Sequence, residues 1–185
     1  MCQALGVAGQ SKYEADGGPG LIAILDLLLR SETPSQDRST MFRAAIVFWL
    51  LGAIDGHAKN FSIFLRAGGR CQLTPIYDVL SAYPITVSGE RHPRELTMAM
   101  SVSGTKRRDY HHHKIRSRHW IATAKSARLP DGEAEAILRD CQARSQRVIE
   151  DCRAQLPTDF PMHVAEAIFA GVQTTVRSIA SEPES

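Results

Sequence analysis

The chain has 185 residues, 43% of them apolar and 23% charged, the composition of an ordinary folded domain rather than a disordered or low-complexity segment. The 22 Lys and Arg against 20 Asp and Glu leave a net charge of +2, too little for charge alone to imply a nucleic-acid partner. No apolar run approaches the ~20 residues that cross a bilayer, and no N-terminal stretch has the order of a signal peptide. Cys2, Cys71, Cys141 and Cys152 show neither C-x-x-C spacing nor a disulfide-dense pattern. One soluble domain with reduced thiols, in the cytoplasm, is therefore expected, with no membrane partner.

In chain order, Met1–Leu5 reads as a helix fragment stopped near Gly6, and 13–20, with Gly17, Gly18, Pro19 and Gly20, as a loop by composition. Its glycines match neither phosphate-loop spacing, so they are read as a structural turn. Leu21–Arg30 is a short buried helix and Ser31–Ser39, with Pro34, a polar turn-rich segment. From about Thr40 to about Ala53 the sequence predicts a long helix with almost no polar face, hence a central one. Phe61–Leu65 and Cys71–Thr74, joined by Ala67-Gly68-Gly69-Arg70, form a β-hairpin. A strand is suggested over Leu96–Met100. A helix covers His119–Lys125, another follows Asp131 as its cap, and a last one, with Pro161 in its first turn, carries the stripe Val164, Ile168, Val172, Val176 and Ile179. Ser181–Ser185 is a polar tail. The fold is mainly α with a small β-hairpin.

The chemistry-bearing residues sit between the apolar run Ala44–Leu51 and the first hairpin strand: Asp55, His57, Lys59 and Asn60 within six residues, with Asp78 following the second strand. A lone Asp there would be an ordinary turn acid. A carboxylate, an Asn five residues on and a distant second Asp is instead the layout with which phosphoryl-transfer enzymes hold an acceptor hydroxyl and magnesium. Asp55 suits the role of proton acceptor, and Asn60 and Asp78 those of neutral and charged magnesium ligands. Lys59 could neutralise a phosphate or the charge of Asp55, and His57 could touch a phosphate or brace the loop. The hairpin is expected to bring residues 55–60 and Asp78 to the same end. His111-His112-His113 lacks the i, i+4 spacing of a helical metal site and reads as a solvated loop. The basic stretch that runs from Lys106 to Arg118 holds six Lys or Arg against one acid, Asp109. With Lys125 and Arg128 it could meet a phosphate backbone, though a solvated surface is its default reading.

The motifs 55–62 and 73–78 resemble those of the HipA family, the serine/threonine kinase toxins of HipA–HipB toxin–antitoxin systems. So do Cys2–Gly6, Lys12-Tyr13-Glu14, Asp16–Gly20, Arg118-His119, Ala122–Lys125 and Leu156–Pro161. The resemblance spans essentially the whole chain, and it implies that residues 1–185 are the C-terminal lobe of a HipA-like protein-kinase-like fold. By motif match it makes Asp55 the catalytic base and Asn60 and Asp78 the Mg2+ ligands, with His57, Ala58, Lys59, Asn60, Tyr77 and Asp78 along the ATP phosphates. It implies an aminoacyl-tRNA synthetase as protein substrate, a HipB-like antitoxin carrying operator DNA as partner, and DNA contacts at Lys125 and Arg128. The sequence departs from eukaryotic kinases, with Ala53-Ile54 in place of His-Arg and Tyr77-Asp78-Val79 in place of Asp-Phe-Gly. The family's ATP loop, strand lysine and adenine-reading hinge have no counterpart here. The chain is thus expected to be a C-terminal piece: a truncated chain, a split gene product, or one begun at an internal Met, needing a separate N-terminal lobe. The alternative is a catalytically incomplete remnant that binds antitoxin or operator DNA.

Overall fold

The computed structural model describes residues 1–104 and 107–180, so Lys106 in the basic stretch and the tail Ser181–Ser185 lie outside the described residues. Helix α2, Pro34–Leu50, is the element round which the rest packs. It begins about six residues before the expected Thr40, because Pro34 sits in the first turn, where its missing N–H costs nothing, instead of breaking a helix. Met41, Phe42, Ala45, Ile46, Phe48, Trp49 and Leu50 are all buried, in line with the near absence of a polar face expected after Thr40, while Ser35, Gln36 and Thr40 are exposed.

The buried side of its first turns also encloses two charged residues. The Asp37 carboxylate accepts the Leu73 backbone N–H at 3.1 Å. The Arg38 guanidinium donates to Leu25 O at 3.1 Å and to the carbonyls of Ala127 and Arg128. These bonds tie α2 to α1 (Leu21–Leu27), to the end of α4 (Ser117–Ser126) and to strand β2 (Cys71–Leu73). β2 pairs antiparallel with β1 (Ile63–Leu65), Ile63 opposite Leu73 and Leu65 opposite Cys71, as the hairpin reading predicts.

A second antiparallel pair joins β3, Thr97–Ser103, to β4, Arg108–His111, with an irregularity between Thr97 and Val102. β3 lies close to the strand expected at Leu96–Met100. β4 falls in the basic stretch whose default reading was a solvated surface. The long helices α5, Glu133–Gln155, and α6, Met162–Ala180, pack on one another and on α2. Asp131 does not cap α5: the cap position is Gly132 at φ +79°, a left-handed conformation that favours glycine over Asp. No helix among the described residues is long and apolar enough to cross a membrane.

The histidine run departs most from its reading as a solvated loop. His112 is buried, and its Nε2 donates to Trp49 O at 2.8 Å. Because a carbonyl can only accept, this bond fixes the tautomer. Tyr83, in the short helix α3 (Tyr83–Val87), donates its hydroxyl to Leu50 O at 3.0 Å, and lies 3.3 Å from His112 Nε2 and 2.8 Å from Thr175 Oγ1 of α6. The last carbonyls of α2 are thereby satisfied inside the protein. Burial pushes the Tyr83 phenol up to about 12, partly offset by Thr175. Burial likewise lowers the His112 pKa, with the Trp49 carbonyl opposing and His113 adding to the shift. The unfolded chain therefore binds this proton more tightly than the folded one. The stabilisation is full above the ordinary value of 6.5 and is lost as pH falls from there toward the folded-state value. The urea midpoint should fall on acidification from about pH 7.5 to about 5.5, and the fall should shrink in His112→Gln. An unchanged acid-side slope in the variant would contradict the assignment.

Candidate active site

α2 ends at Leu50, and Gly52, at φ +60°, turns the chain out of the helix. A Cβ there would come within 2.9 Å of the Tyr83 ring, so the turn needs glycine for both conformation and room. Ala53 N–H then returns to Phe48 O at 2.8 Å, which starts the loop rigidly from the core helix. Within it, His57 N–H donates to Asp55 O at 2.8 Å and to Asn60 Oδ1 at 3.1 Å, while Asn60 N–H donates to His57 O at 2.9 Å. His57, Ala58 and Asn60 are buried, whereas Asp55 and Lys59 are exposed. The Met1 nitrogen donates to Ala58 O at 2.9 Å and Phe61 O at 2.5 Å, tying Met1, just ahead of the 3-10 turn Gln3–Leu5, to the loop.

The second segment arrives from β2. The Asn60 amide Nδ2 donates to Asp78 Oδ2, joining the two motifs directly. The Tyr77 hydroxyl donates to Lys59 O at 3.2 Å and meets Ser62 Oγ at 2.7 Å, a second tie across the same gap. Asp78 has φ +59°, a left-handed conformation that costs a residue with a Cβ of order 1 kcal/mol or more and persists only where the surroundings impose it. Asp55, His57, Ala58, Lys59, Asn60, Tyr77 and Asp78 thus lie together at one end of the hairpin, as their spacing predicts.

Lys125 and Arg128 are elsewhere. Lys125 is exposed in the last turn of α4, and Arg128, at φ +55°, donates to Asp26 Oδ1 at 3.1 Å. Neither lines a cavity that Asp55 lines. The glycine turn at 17–20 is structural: a Cβ on Gly18 would strike Ser11 O, and one on Gly20 would strike the Glu14 carboxylate.

Asp55 borders two hollows and, among the described residues, is the one common to their linings. The smaller is walled by Phe48, Gly56, Asn60, Asp78 and Leu80. The larger lies on the side of Tyr13 and β3. Asn60 and Asp78 offer one amide and one carboxylate oxygen set, hard ligands suited to Mg2+, which keeps several waters and takes phosphate oxygens readily. Among the described residues no three His, Cys, Asp or Glu gather as a metal cage. An ion on Asn60 and Asp78 would draw its other ligands from phosphate and water. The oxygen types suit magnesium, but Asn60 presents Nδ2 to Asp78 and its Oδ1 accepts the His57 N–H, so ligation would use the second lone pair of Oδ1 or a turned amide.

The sequence reading assigned no role to two residues of this site. Tyr13, placed in a loop by composition, donates its hydroxyl to Asp55 Oδ1 at 2.8 Å across 42 residues of chain, and no local pattern announces such a contact. Gly56 packs so closely on Phe48 that a Cβ would come 2.4 Å from the ring. A glycine directly after the key Asp was the signal available for it.

The fold is that of a known solved protein. The structure superposes on a chain of the HipA, HipB and operator DNA complex from Shewanella oneidensis MR-1 with a TM-score of 0.75 at 21% identity, covering 99% of this chain and 45% of that one. It is therefore a domain of the architecture found in HipA. The model of the HipA-like C-terminal domain matches residues 1–149, and the chain belongs to that family. Among full-length relatives, "Putative kinase Y4mE" of Sinorhizobium fredii is 43% identical over 87 residues, 45% of this chain and 20% of that protein. The serine/threonine-protein kinase toxin HipA of Shewanella oneidensis is 31% identical over 91 residues, 43% of this chain and 21% of that protein. The matched segments cover about a fifth of either relative.

Because Phe48 is a buried ring that cannot withdraw, Gly56→Ala should cost about 1–3 kcal/mol of stability and displace Asp55 and His57. Chemical denaturation with amide chemical shifts of residues 53–61 would read both effects. A variant of unchanged stability and loop shifts would contradict the close contact.

Proposed function

We propose that the chain is the catalytic lobe of a HipA-type serine/threonine protein kinase, moving the γ-phosphate of ATP to a hydroxyl of a protein, of the aminoacyl-tRNA synthetase class by family resemblance. The observation that carries this reading is the Asn60 amide resting on the Asp78 carboxylate beside Asp55, two motifs remote in sequence closed into one site. In the proposed reaction the acceptor hydroxyl gives its proton to the Asp55 carboxylate as its oxygen bonds to the γ-phosphorus. The bond from that phosphorus to the β,γ-bridging oxygen breaks, and ADP leaves. Asn60 and Asp78 would hold Mg2+, which when bound neutralises charge on the phosphates. His57, Ala58, Lys59 and Tyr77 would line the phosphates. The exposed ammonium of Lys59 is free to meet them, while the buried His57 and the Tyr77 hydroxyl brace the loop.

The grip on adenine and the remaining phosphate contacts are assigned to a separate N-terminal lobe. The chain spans 45% of the solved relative, which leaves room for such a lobe in a complete kinase. A HipB-like antitoxin and operator DNA are proposed partners, since the solved relative is a complex with both. The exposed Lys125 and the largely exposed Arg128 at the end of α4 suit contact with a DNA backbone. That same surface supports the second reading, a remnant that binds antitoxin or operator without catalysis. The proposed compartment is the cytoplasm.

Phosphate transfer from labelled ATP, by the chain completed with the N-terminal part of its 43%-identical relative, tests the kinase reading. Asp55→Asn should lower the rate about 10²–10⁴-fold, and Asp78→Asn should do so while raising the Mg2+ requirement. Transfer that survives Asp55→Asn at full rate would rule out the assignment, and no transfer by a folded, completed protein would leave the second reading.

A further inference from the structure

Asp55 has two carboxylate oxygens in unlike settings. Oδ1 accepts the Tyr13 hydroxyl at 2.8 Å, while Oδ2 lies 4.0 Å from His57 Nε2, beyond hydrogen-bond length. The Asp55 side chain is 62% exposed, so little packing restrains its rotamer. Tyr13, by contrast, is fixed. Its ring stands edge-on to the buried His57, with centroids 5.3 Å apart, and the Lys12 ammonium lies 4.7 Å from the ring centroid. The next residue, Glu14, has a side chain only 6% exposed, accepts Ser101 N–H of β3 at 2.6 Å and pairs with Arg108 of β4. The turn bearing Tyr13 is thus bolted to the second hairpin, and Tyr13 hands that rigidity to an otherwise loose carboxylate.

The surroundings give this bond a direction. Asn60 and Asp78 line the hollow on one side of Asp55. On the other side opens a cleft of about 600 Å³ walled by Tyr13, Asp16, Arg91, Tyr110 and His111. In-line transfer needs nucleotide and acceptor on opposite sides of the reacting phosphorus, and Asp55 is the residue that reaches both hollows.

We propose that Tyr13 is a positioning residue for the phosphoryl transfer, its hydroxyl holding Asp55 by Oδ1 so that Oδ2 is presented to the acceptor hydroxyl entering from this cleft. The proposal rests on the kinase reading and adds to it a residue outside the nucleotide-binding motifs. Tyr13 touches neither reacting atom. It acts through Asp55.

The 185-residue chain itself provides the first test. The χ1 couplings and carboxyl ¹³C signal of Asp55, identified with Asp55→Asn, are compared at about pH 7 in the unsubstituted protein and in Tyr13→Phe. With Tyr13 in place the couplings should report one rotamer, and in Tyr13→Phe they should average. In the completed kinase, Tyr13→Phe should lower kcat about tenfold with KM for ATP unchanged. Couplings that are the same in both proteins overturn the proposal, as do averaged couplings with kcat equal to or above that of the unsubstituted enzyme, the result expected if Tyr13 merely occupied the acceptor's place. Absence of transfer by the unsubstituted, completed protein defeats the kinase reading and this role with it, and the couplings would still report the Tyr13–Asp55 bond.

Discussion

Everything in this domain follows from burying most of helix α2, which keeps only Ser35, Gln36 and Thr40 exposed. The polar groups on its buried faces cannot be left to water, so each must be met by another element. Asp37 takes the β2 amide, Arg38 takes carbonyls of α1 and of the segment after α4, and the last carbonyls of α2 go to His112 and Tyr83. The packing order of the molecule is in effect a list of those partners. Removing one side of such a pairing leaves a buried charge or carbonyl unmet, which is costlier than never having built it.

The rigidity of the helix end is what the candidate site uses. The chain leaves α2 through a glycine turn pressed on Tyr83 and folds back over Phe48 at Gly56, so residues 55–60 have little freedom of their own. The β1–β2 hairpin, pinned to α2 by Asp37, returns the chain so that Asn60 meets Asp78. The left-handed backbone of Asp78 is a local cost imposed by that closure, of the kind that collects at functional sites. The loop backbone here is held by scaffold, the preorganisation that the proposed phosphoryl transfer requires.

The sequence made legible whatever depends on local pattern. The central helix, the first hairpin, and the grouping of Asp55, His57, Asn60 and Asp78 could all be read from apolar runs, turn residues and spacing. What escaped was set by distant contacts. Pro34 opens a helix whose Asp37 and Arg38 are bonded to β2 and α1, which composition reports only as a polar stretch. His112 lies in a basic, His-rich segment that looks solvated, and its burial depends on carbonyls 63 residues away. β4 has a partner only because β3 lies on α4 beside it. Gly132 takes the cap position from Asp131 because that turn needs a positive φ. Tyr13 was a loop residue until the fold placed it on Asp55.

The central claim is that Asn60 and Asp78 form one divalent-cation and phosphate site beside Asp55. Mn2+ added with ATP to the isotope-labelled chain tests it directly, through paramagnetic broadening of backbone amides. The account predicts selective loss of signals around residues 55–60 and 77–79, reversed by excess Mg2+ and abolished by Asp78→Asn. Broadening centred on His111–His113, or loss that persists in Asp78→Asn, would contradict it.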